Sequence, residues 1–446
     1  MFEPAVDIHR SCTPVNKNGG LKPGNLISEP LAERFRCAES FATIAHAAAE
    51  CGAGGFTNGY DRDLSADPEQ AIDNLRLERY VSSGELSSNR LLTGPLVRGA
   101  YYGLRPLLPV GTRKYLQRIA LRGWSNRTFP EWPVDRTVEQ ILERALLLAL
   151  REKNLESIPF IWFWPEGHSS CAIVTHDVET EAGRRFCSQL MDLDDAFGIK
   201  ASFQVVPEKR YVVTDQYLES IRQRGFEINV QDWNHDGRLF SQRRVFLRRA
   251  ALINQVASNW SAQGFRGAML YRNVDWLEEL QVSYDMSLPN VAHLDPQRGG
   301  CCTVFPFFIG NLLELPVTTT QDYSLFHILS EYSIDLWIKQ CSLIREAHGM
   351  MSFIIHPDYL LEQRALQTYR SLLEHLTELR AEQNTWITLP REVNEWWRQR
   401  SQMSIVQNNG KLQIAGRGSE RARLAFARAQ GDRVVYSFDR NKVSKT

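Results

Sequence analysis

With 446 residues, 43% apolar and 23% charged, the chain is long and apolar enough for one barrel-sized domain plus smaller regions, which excludes a largely disordered protein. Lys plus Arg and Asp plus Glu balance at 52 each, and this zero net charge excludes a whole-protein electrostatic affinity for nucleic acid. The eight Cys show no Cys-x-x-Cys spacing, which excludes a zinc ribbon or a disulfide framework and leaves the adjacent Cys301 and Cys302 as reduced thiols.

The start, Met1-Phe-Glu-Pro-Ala-Val-Asp-Ile-His-Arg10, has neither the basic residues nor the apolar run of a secretory signal. No stretch reaches the ~18 apolar residues of a membrane span, so the sequence predicts a cytosolic protein. Residues 1–30 are rich in Pro, Gly, Asn and Lys without periodicity and read as a mobile tail. Residues 31–155 read as a mainly helical N-terminal region, with one helix over 31–50 stopped by Cys51-Gly-Ala-Gly-Gly55 and another over 138–155 with Ile141, Leu142, Ala145, Leu148 and Ala149 as its buried stripe. Between them, Leu86 to Pro130 contains no Asp or Glu, while Arg90, Arg98, Arg105, Arg113, Lys114, Arg118, Arg122 and Arg127 alternate with Tyr101, Tyr102, Tyr115 and Trp124. Such a stretch fits either a peripheral contact with an anionic membrane or acidic polymer, or a helical arm packed on the main domain. Phe129-Pro-Glu-Trp-Pro133 reads as a rigid connector, because the residue before a proline is pushed out of the helical region.

Over 156–400, strand-like runs near 158–164, 170–176, 201–206, 226–231, 265–270, 282–288, 312–318, 350–356 and 385–389 alternate with helical patterns at 181–197, 214–224, 238–261, 331–347 and 361–381. That alternation predicts an α/β barrel of parallel strands. Residues 289–311 read as an irregular insertion long enough to lie over a site. Over 401–446, short strands split by Asn-Asn-Gly and Gly-Asp turns predict a small antiparallel appendage.

Four strand ends carry the chemistry, since ligands and catalysis in parallel α/β folds gather at the carboxyl ends of strands. The apolar Cys171-Ala-Ile-Val-Thr-His-Asp-Val-Glu-Thr180 runs into His176, Asp177 and Glu179, although Asp177 or Thr180 also suits the cap of the following helix. Phe226-Glu-Ile-Asn-Val-Gln-Asp-Trp-Asn-His-Asp-Gly237 delivers Gln231 and His235, Gly264-Phe-Arg-Gly267 delivers Arg266, and Met351-Ser-Phe-Ile-Ile-His-Pro-Asp358 delivers His356. Taken singly, a His before a Pro at a strand end is better explained by structure than by catalysis.

In order and spacing these residues resemble the polysaccharide deacetylases of carbohydrate esterase family 4, the NodB-homology group, over roughly 160–400. Asp177-Val-Glu179 is similar to the first motif of one branch, Gln231-Asp-Trp-Asn-His235 to the His-x-x-x-His second motif with Gln at its first ligand position, Gly-Phe-Arg266 to the third motif without its usual prolines, and His356 to the late catalytic His. The resemblance implies a distorted (β/α)7 barrel and hydrolysis of N-acetyl groups on an amino-sugar glycan. It implies Asp177 as base, Arg266 as the residue that orients it, His356 as general acid, and Glu179, His235 and Gln231 around a divalent metal, zinc by its donor types. The Gln231 amide oxygen is a weaker ligand than imidazole, so His176, Asp232 or Asp236 stand as alternative third ligands. Three function classes therefore remain open: a metal-dependent deacetylase, a non-catalytic glycan-binding relative, and a structural partner in cell-envelope polysaccharide assembly.

Overall fold

The structure, a computed structural model, describes residues 34–35, 68–81 and 110–439. The expected tail over 1–30, most of the helix expected over 31–50 and the basic stretch before residue 110 lie outside the described residues.

Helices α1 (Pro68–Arg76), α2 (Val110–Ala120) and α3 (Thr137–Glu152) precede the sheet region. The apolar stripe read over 138–155 is the buried face of α3, with Ile141, Leu142, Ala145 and Ala149 all in the core. After it come β1 (Ile158–Ile161) and β2 (Ser170–Val178), the latter buried at all nine residues as a strand covered on both faces must be.

The chain then alternates through α4 (Glu181–Ala196), β3 (Ser202–Val205), α5 (Asp215–Gln223), β4 (Glu227–Gln231), α6 (Arg243–Trp260), β5 (Gly264–Arg266) and β6 (Tyr284–Asp285). An antiparallel pair, β7 (Phe307–Ile309) and β8 (Leu312–Glu314), leads to α7 (Asp335–Glu346), β9 (Met350–Ile355), α8 (Gln363–Gln383), β10 (Thr385–Ile387) and α9 (Pro390–Gln402). Thr180 and Thr214 cap α4 and α5 by accepting from the Gly183 and Tyr217 amides at 3.0 and 3.2 Å. The capping role that the sequence left open between Asp177 and Thr180 thus falls to Thr180, and Asp177 is free for other work.

Seven parallel strands in the order β9-β2-β3-β4-β5-β6-β8 form the curled sheet, with β10 also parallel to β2. This is the distorted seven-stranded α/β barrel expected. The gap between β8 and β9 is bridged by side chains. Thr318 Oγ1 donates to the Met350 carbonyl (2.7 Å) and accepts from the Ser352 amide (2.9 Å), and Thr319 Oγ1 donates to the Ser352 carbonyl (2.7 Å).

The run near 158–164 is not one of the barrel strands: β1 pairs antiparallel with β13 (Leu424–Gln430), which pairs with β14 (Arg433–Ser437), while β11 (Ser404–Asn408) and β12 (Lys411–Ala415) form a separate hairpin. Trp162 to Trp164 follow β1 and turn into an aromatic floor with Phe305, Trp396 and Trp397. Its indoles are satisfied: Trp164 Nε1 donates to His348 O at 2.6 Å and Trp396 Nε1 to Phe163 O at 2.8 Å. His348 precedes β9, so this floor lies at the amino ends of the strands.

The insertion over 289–311 is tied down rather than free. Asn290 Nδ2 donates to the Asp135 and Thr303 carbonyls at 2.7 and 2.9 Å, and the Gly300 amide donates to Glu78 Oε1 at 2.6 Å. Glu78 also pairs with the fully buried Arg272, which locks the α1 segment onto the barrel. In the described part of the basic stretch, Lys114 lies 3.0 Å from His327 Nδ1, and Arg118 donates to His327 O (2.9 Å) and Ser330 Oγ (2.7 Å). Tyr115 on the same helix is 64% exposed.

Candidate active site and metal centre

In β2 alternate residues share a face, so Thr175 and Asp177, continued by Glu179, point one way and His176 the other. His176 turns into the core, where its Nε2 lies 2.9 Å from Asp194 Oδ2 and Tyr369 donates to Asp194 Oδ1 at 2.6 Å. It is therefore no ligand for the rim; it fastens β2 to α4 and α8.

Asp177, Glu179 and His356 each offer a ligand atom within 4.8 Å of one another. Arg266, the last residue of β5 and fully buried, donates through Nη1 to Asp177 Oδ1 (2.6 Å) and Thr175 Oγ1 (2.7 Å), and through Nε to the Met286 carbonyl (3.0 Å). Three contacts fix the planar guanidinium, and through it the position of the Asp177 carboxylate. The turn beyond Arg266 is strained, with Met269 and Leu270 both at positive φ (55° and 52°). A Cβ at Gly267 would stand 2.4 Å from the Tyr271 carbonyl, so that turn closes only over glycine.

His356 is held from behind by Asp322, which sequence reasoning missed. Asp322 Oδ1 lies 2.6 Å from His356 Nδ1 and Oδ2 accepts from the His356 amide at 2.7 Å, while the Tyr359 ring stacks on the imidazole at 4.6 Å. His356 Nε2 faces Glu179 Oε1 at 3.4 Å. Burial alone would lower the pKa of His356, but the charges of Asp322 and Glu179 outweigh it and hold the imidazolium well above its usual range. Burial likewise opposes the charge on Glu179, and here His235 and His356 win, keeping the carboxylate ionised far below its ordinary value.

Gln231 closes the group. Its Nε2 donates to Asp177 Oδ2 (3.0 Å) and Glu179 Oε1 (3.3 Å), and its buried Oε1 has no hydrogen-bond partner. His235 Nε2 lies 2.7 Å from Glu179 Oε1, yet neither ring nitrogen makes a hydrogen bond of good geometry. Its position comes from a loop in which Asp232 and His235 both adopt left-handed φ (50° and 55°), a conformation that costs roughly 1–2 kcal/mol for each non-glycine residue. Of the alternative ligands, Asp236 is engaged by Arg249 through two bonds of 2.7 and 2.6 Å, and Asp232 Oδ1 accepts from the Trp233 amide at 2.6 Å.

The donor set suits a divalent cation. Glu179 offers a carboxylate oxygen, His235 Nε2 lies 2.7 Å from it, and the buried Gln231 Oε1 and His235 Nε2 have no hydrogen-bond partner, an oxygen-and-nitrogen set of the kind such an ion takes.

No family model matches the sequence, and no curated protein matches it. Solved structures do. A polysaccharide deacetylase from Mycobacterium smegmatis aligns at TM-score 0.43 and 17% identity over 56% of this chain and 98% of its own. Puue allantoinase aligns at 0.41 and 13% over 52% and 92%, and a polysaccharide deacetylase from Pseudomonas aeruginosa PAO1 at 0.41 and 11% over 52% and 92%. Among the described residues, no helix is long and apolar enough to cross a membrane.

Proposed function

We propose that the chain is a metal-dependent hydrolase that removes N-acetyl groups from an amino-sugar glycan, the activity implied by the sequence resemblance. The observation that carries this reading is the paired arrangement on either side of Glu179: Asp177 steadied by Arg266, and His356 steadied by Asp322. Amide hydrolysis needs a base for the attacking water and an acid for the departing amine, each worth roughly 10²–10⁴-fold. Asp177, paired with Arg266, takes the water's proton. His356, kept protonated, gives a proton from Nε2 to the amine nitrogen. Glu179 and His235 would hold the metal, zinc by their donor types, with Gln231 Oε1 as a weak third donor. When bound, the metal would supply Lewis-acid polarisation of the acetyl carbonyl.

A second reading, a glycan-binding relative with little or no turnover, is favoured by one observation: the Gln231 amide directs its donor at both carboxylates. The two readings separate in one experiment. Protein purified without chelator is assayed for bound metal and for acetate release from chito-oligosaccharide, beside Glu179→Ala and His356→Ala. Metal content near one per chain, with turnover lost in both variants, supports the hydrolase. Tight glycan binding without metal or acetate release supports the second reading and overturns the first.

A further inference from the structure

The loop over 330–334 leads into α7 and lies against the first turns of α8. Tyr332 in this loop stacks on Phe326 (4.9 Å, 8° between planes) and carries the Arg364 guanidinium 3.7 Å from its ring centre. Its carbonyl accepts from Thr368 Oγ1 at 2.7 Å, and its hydroxyl donates to Glu362 Oε2 at 3.3 Å. Glu362 in turn pairs with Arg364. A loop held at ring, hydroxyl and carbonyl keeps its shape without a ligand, so the cleft it makes with α8 is preformed.

That cleft is a cavity of about 660 Å³, a size usual for small-molecule sites. One wall is the loop and the other is α8, where Gln363, Gln367 and Ser371 follow one another at successive turns and so share a face. Among the described residues, none of these three side chains makes a hydrogen bond. Each amide presents an acceptor beside two donors, which matches neighbouring hydroxyls of a sugar ring, since every hydroxyl both donates and accepts. The charged groups of the lining are one of each sign, Asp335 and Arg364, and Arg364 is already paired with Glu362. The cleft thus holds no surplus charge for a phosphate or a carboxylate. The ligand it suits is neutral and rich in hydroxyls.

Its place in the fold ties it to the candidate acid. The Tyr359 amide donates to the His356 carbonyl (3.1 Å) and the Glu362 amide to the Tyr359 carbonyl (3.2 Å), two consecutive turns that lead from the end of β9 to the start of α8. The cleft therefore opens at the carboxyl ends of the strands, on the His356 side of the rim.

We propose that the cleft between Tyr332 and the Gln363–Gln367 face of α8 is an accessory site for a neutral oligosaccharide. It seats sugar units of the same glycan whose acetamido group lies at the rim, and so rests on the glycan reading above. Gln363 and Gln367 hold ring hydroxyls, and the Tyr332–Arg364 stack is the wall the sugar lies against.

The test compares acetate release from the dimer and the hexamer of N-acetylchito-oligosaccharide, together with calorimetric binding of the hexamer. The proteins are wild type, Gln363→Ala/Gln367→Ala, and Gln367→Trp, whose ring fills the cleft. In wild type the KM for the dimer should exceed that for the hexamer at least about tenfold, the gain that two added hydrogen-bonding side chains supply. Both variants should bring that ratio within about twofold of one, and Gln363→Asn/Gln367→Asn, which keeps the amides, should retain part of it. A ratio or a hexamer affinity unchanged in both variants would overturn the proposal, as would hexagalacturonate bound as tightly as the neutral hexamer. The hydrolase reading is decided separately. If wild type releases no acetate yet binds the hexamer at least about tenfold tighter than the double Ala variant, the accessory site stands and the hydrolase falls. Acetate release whose length dependence ignores both variants does the reverse. A hexamer that none of the proteins binds overturns the accessory site.

Discussion

Gln231 binds Asp177 through its side-chain amide, Nε2 to Oδ2 at 3.0 Å, and reaches Glu179 with the same nitrogen. A neutral donor thereby joins two carboxylates that a cation would otherwise hold together. Replacing it with His substitutes an imidazole nitrogen, the better ligand, at the same strand end. Gln231→His should raise zinc affinity by at least the ~10–100-fold associated with changes around a ligand, and acetate release should rise with it. Zinc titration of both proteins checks this, and equal affinities would mean that the third donor is already supplied elsewhere.

Arg266 is a buried cation with three partners, so its loss is felt in folding as well as in chemistry. Removing one member of a buried pair leaves an uncompensated charge and costs roughly 3–5 kcal/mol. Arg266→Met should lower stability by about that amount in urea unfolding. Arg266→Lys should lose less, yet turn over poorly, because one ammonium cannot meet Thr175, Asp177 and the Met286 carbonyl together.

Under the proposed mechanism Asp322, which contacts both the ring and the amide of His356, would act through that residue rather than on substrate. In Asp322→Asn one of its two acceptors becomes a donor, which must face either the His356 amide or its Nδ1–H. Turnover should fall by roughly the 10²–10⁴-fold that a general acid is worth, with KM for chito-oligosaccharide within about twofold of wild type. A parallel fall in substrate binding would argue that Asp322 serves only to hold the strand end.

Asp295 gives a stability test independent of the site. Burial raises its carboxyl to about 6 against the pull of Gln321 and Arg272, whereas an unfolded Asp titrates near ~3.9. The folded state thus binds a proton that the unfolded state has lost, and stability falls as pH rises from about 4 through 6. The two-unit difference amounts to about 3 kcal/mol of destabilisation at neutral pH. Asp295→Asn should therefore be more stable than wild type at pH 7.5 by up to that amount, with the gap shrinking below about 1 kcal/mol at pH 4. Denaturant melts at the two pH values decide it; a gap that does not change with pH would rule out the titration of Asp295 as its cause.

The strand-and-helix alternation of the barrel was legible because each buried strand is a short apolar run ending in polar residues, as in Cys171 to Glu179. Asp322 obeys the same rule, at the end of Val317-Thr-Thr-Thr-Gln-Asp322, but three threonines before it look like loop. Two of them, Thr318 and Thr319, are strand substitutes whose hydroxyls take the place of backbone partners, and no periodicity reveals that. β1 was read into the barrel because Ile-Pro-Phe-Ile has the composition of a buried strand; its actual partner, β13, lies more than 250 residues away in sequence, and pairing over such a distance leaves no local trace. The orientation of the Gln231 amide is likewise a product of three strand ends meeting, not of its neighbours in the chain.

The seam between β8 and β9 has a consequence for motion. Where other strands share a ladder, this edge is sewn by Thr318, Thr319 and the Asp322–His356 pair, all of them side chains. The amides of Ser352 and His356 therefore owe their shelter to a hydroxyl and a carboxylate. Opening this edge parts His356 from the Asp322 carboxylate, so under the proposed mechanism the same side-chain join that closes the barrel here also governs the charge on its acid. Hydrogen exchange at those two amides should quicken in Thr318→Val and Asp322→Asn respectively, while exchange along β3 and β4 stays slow.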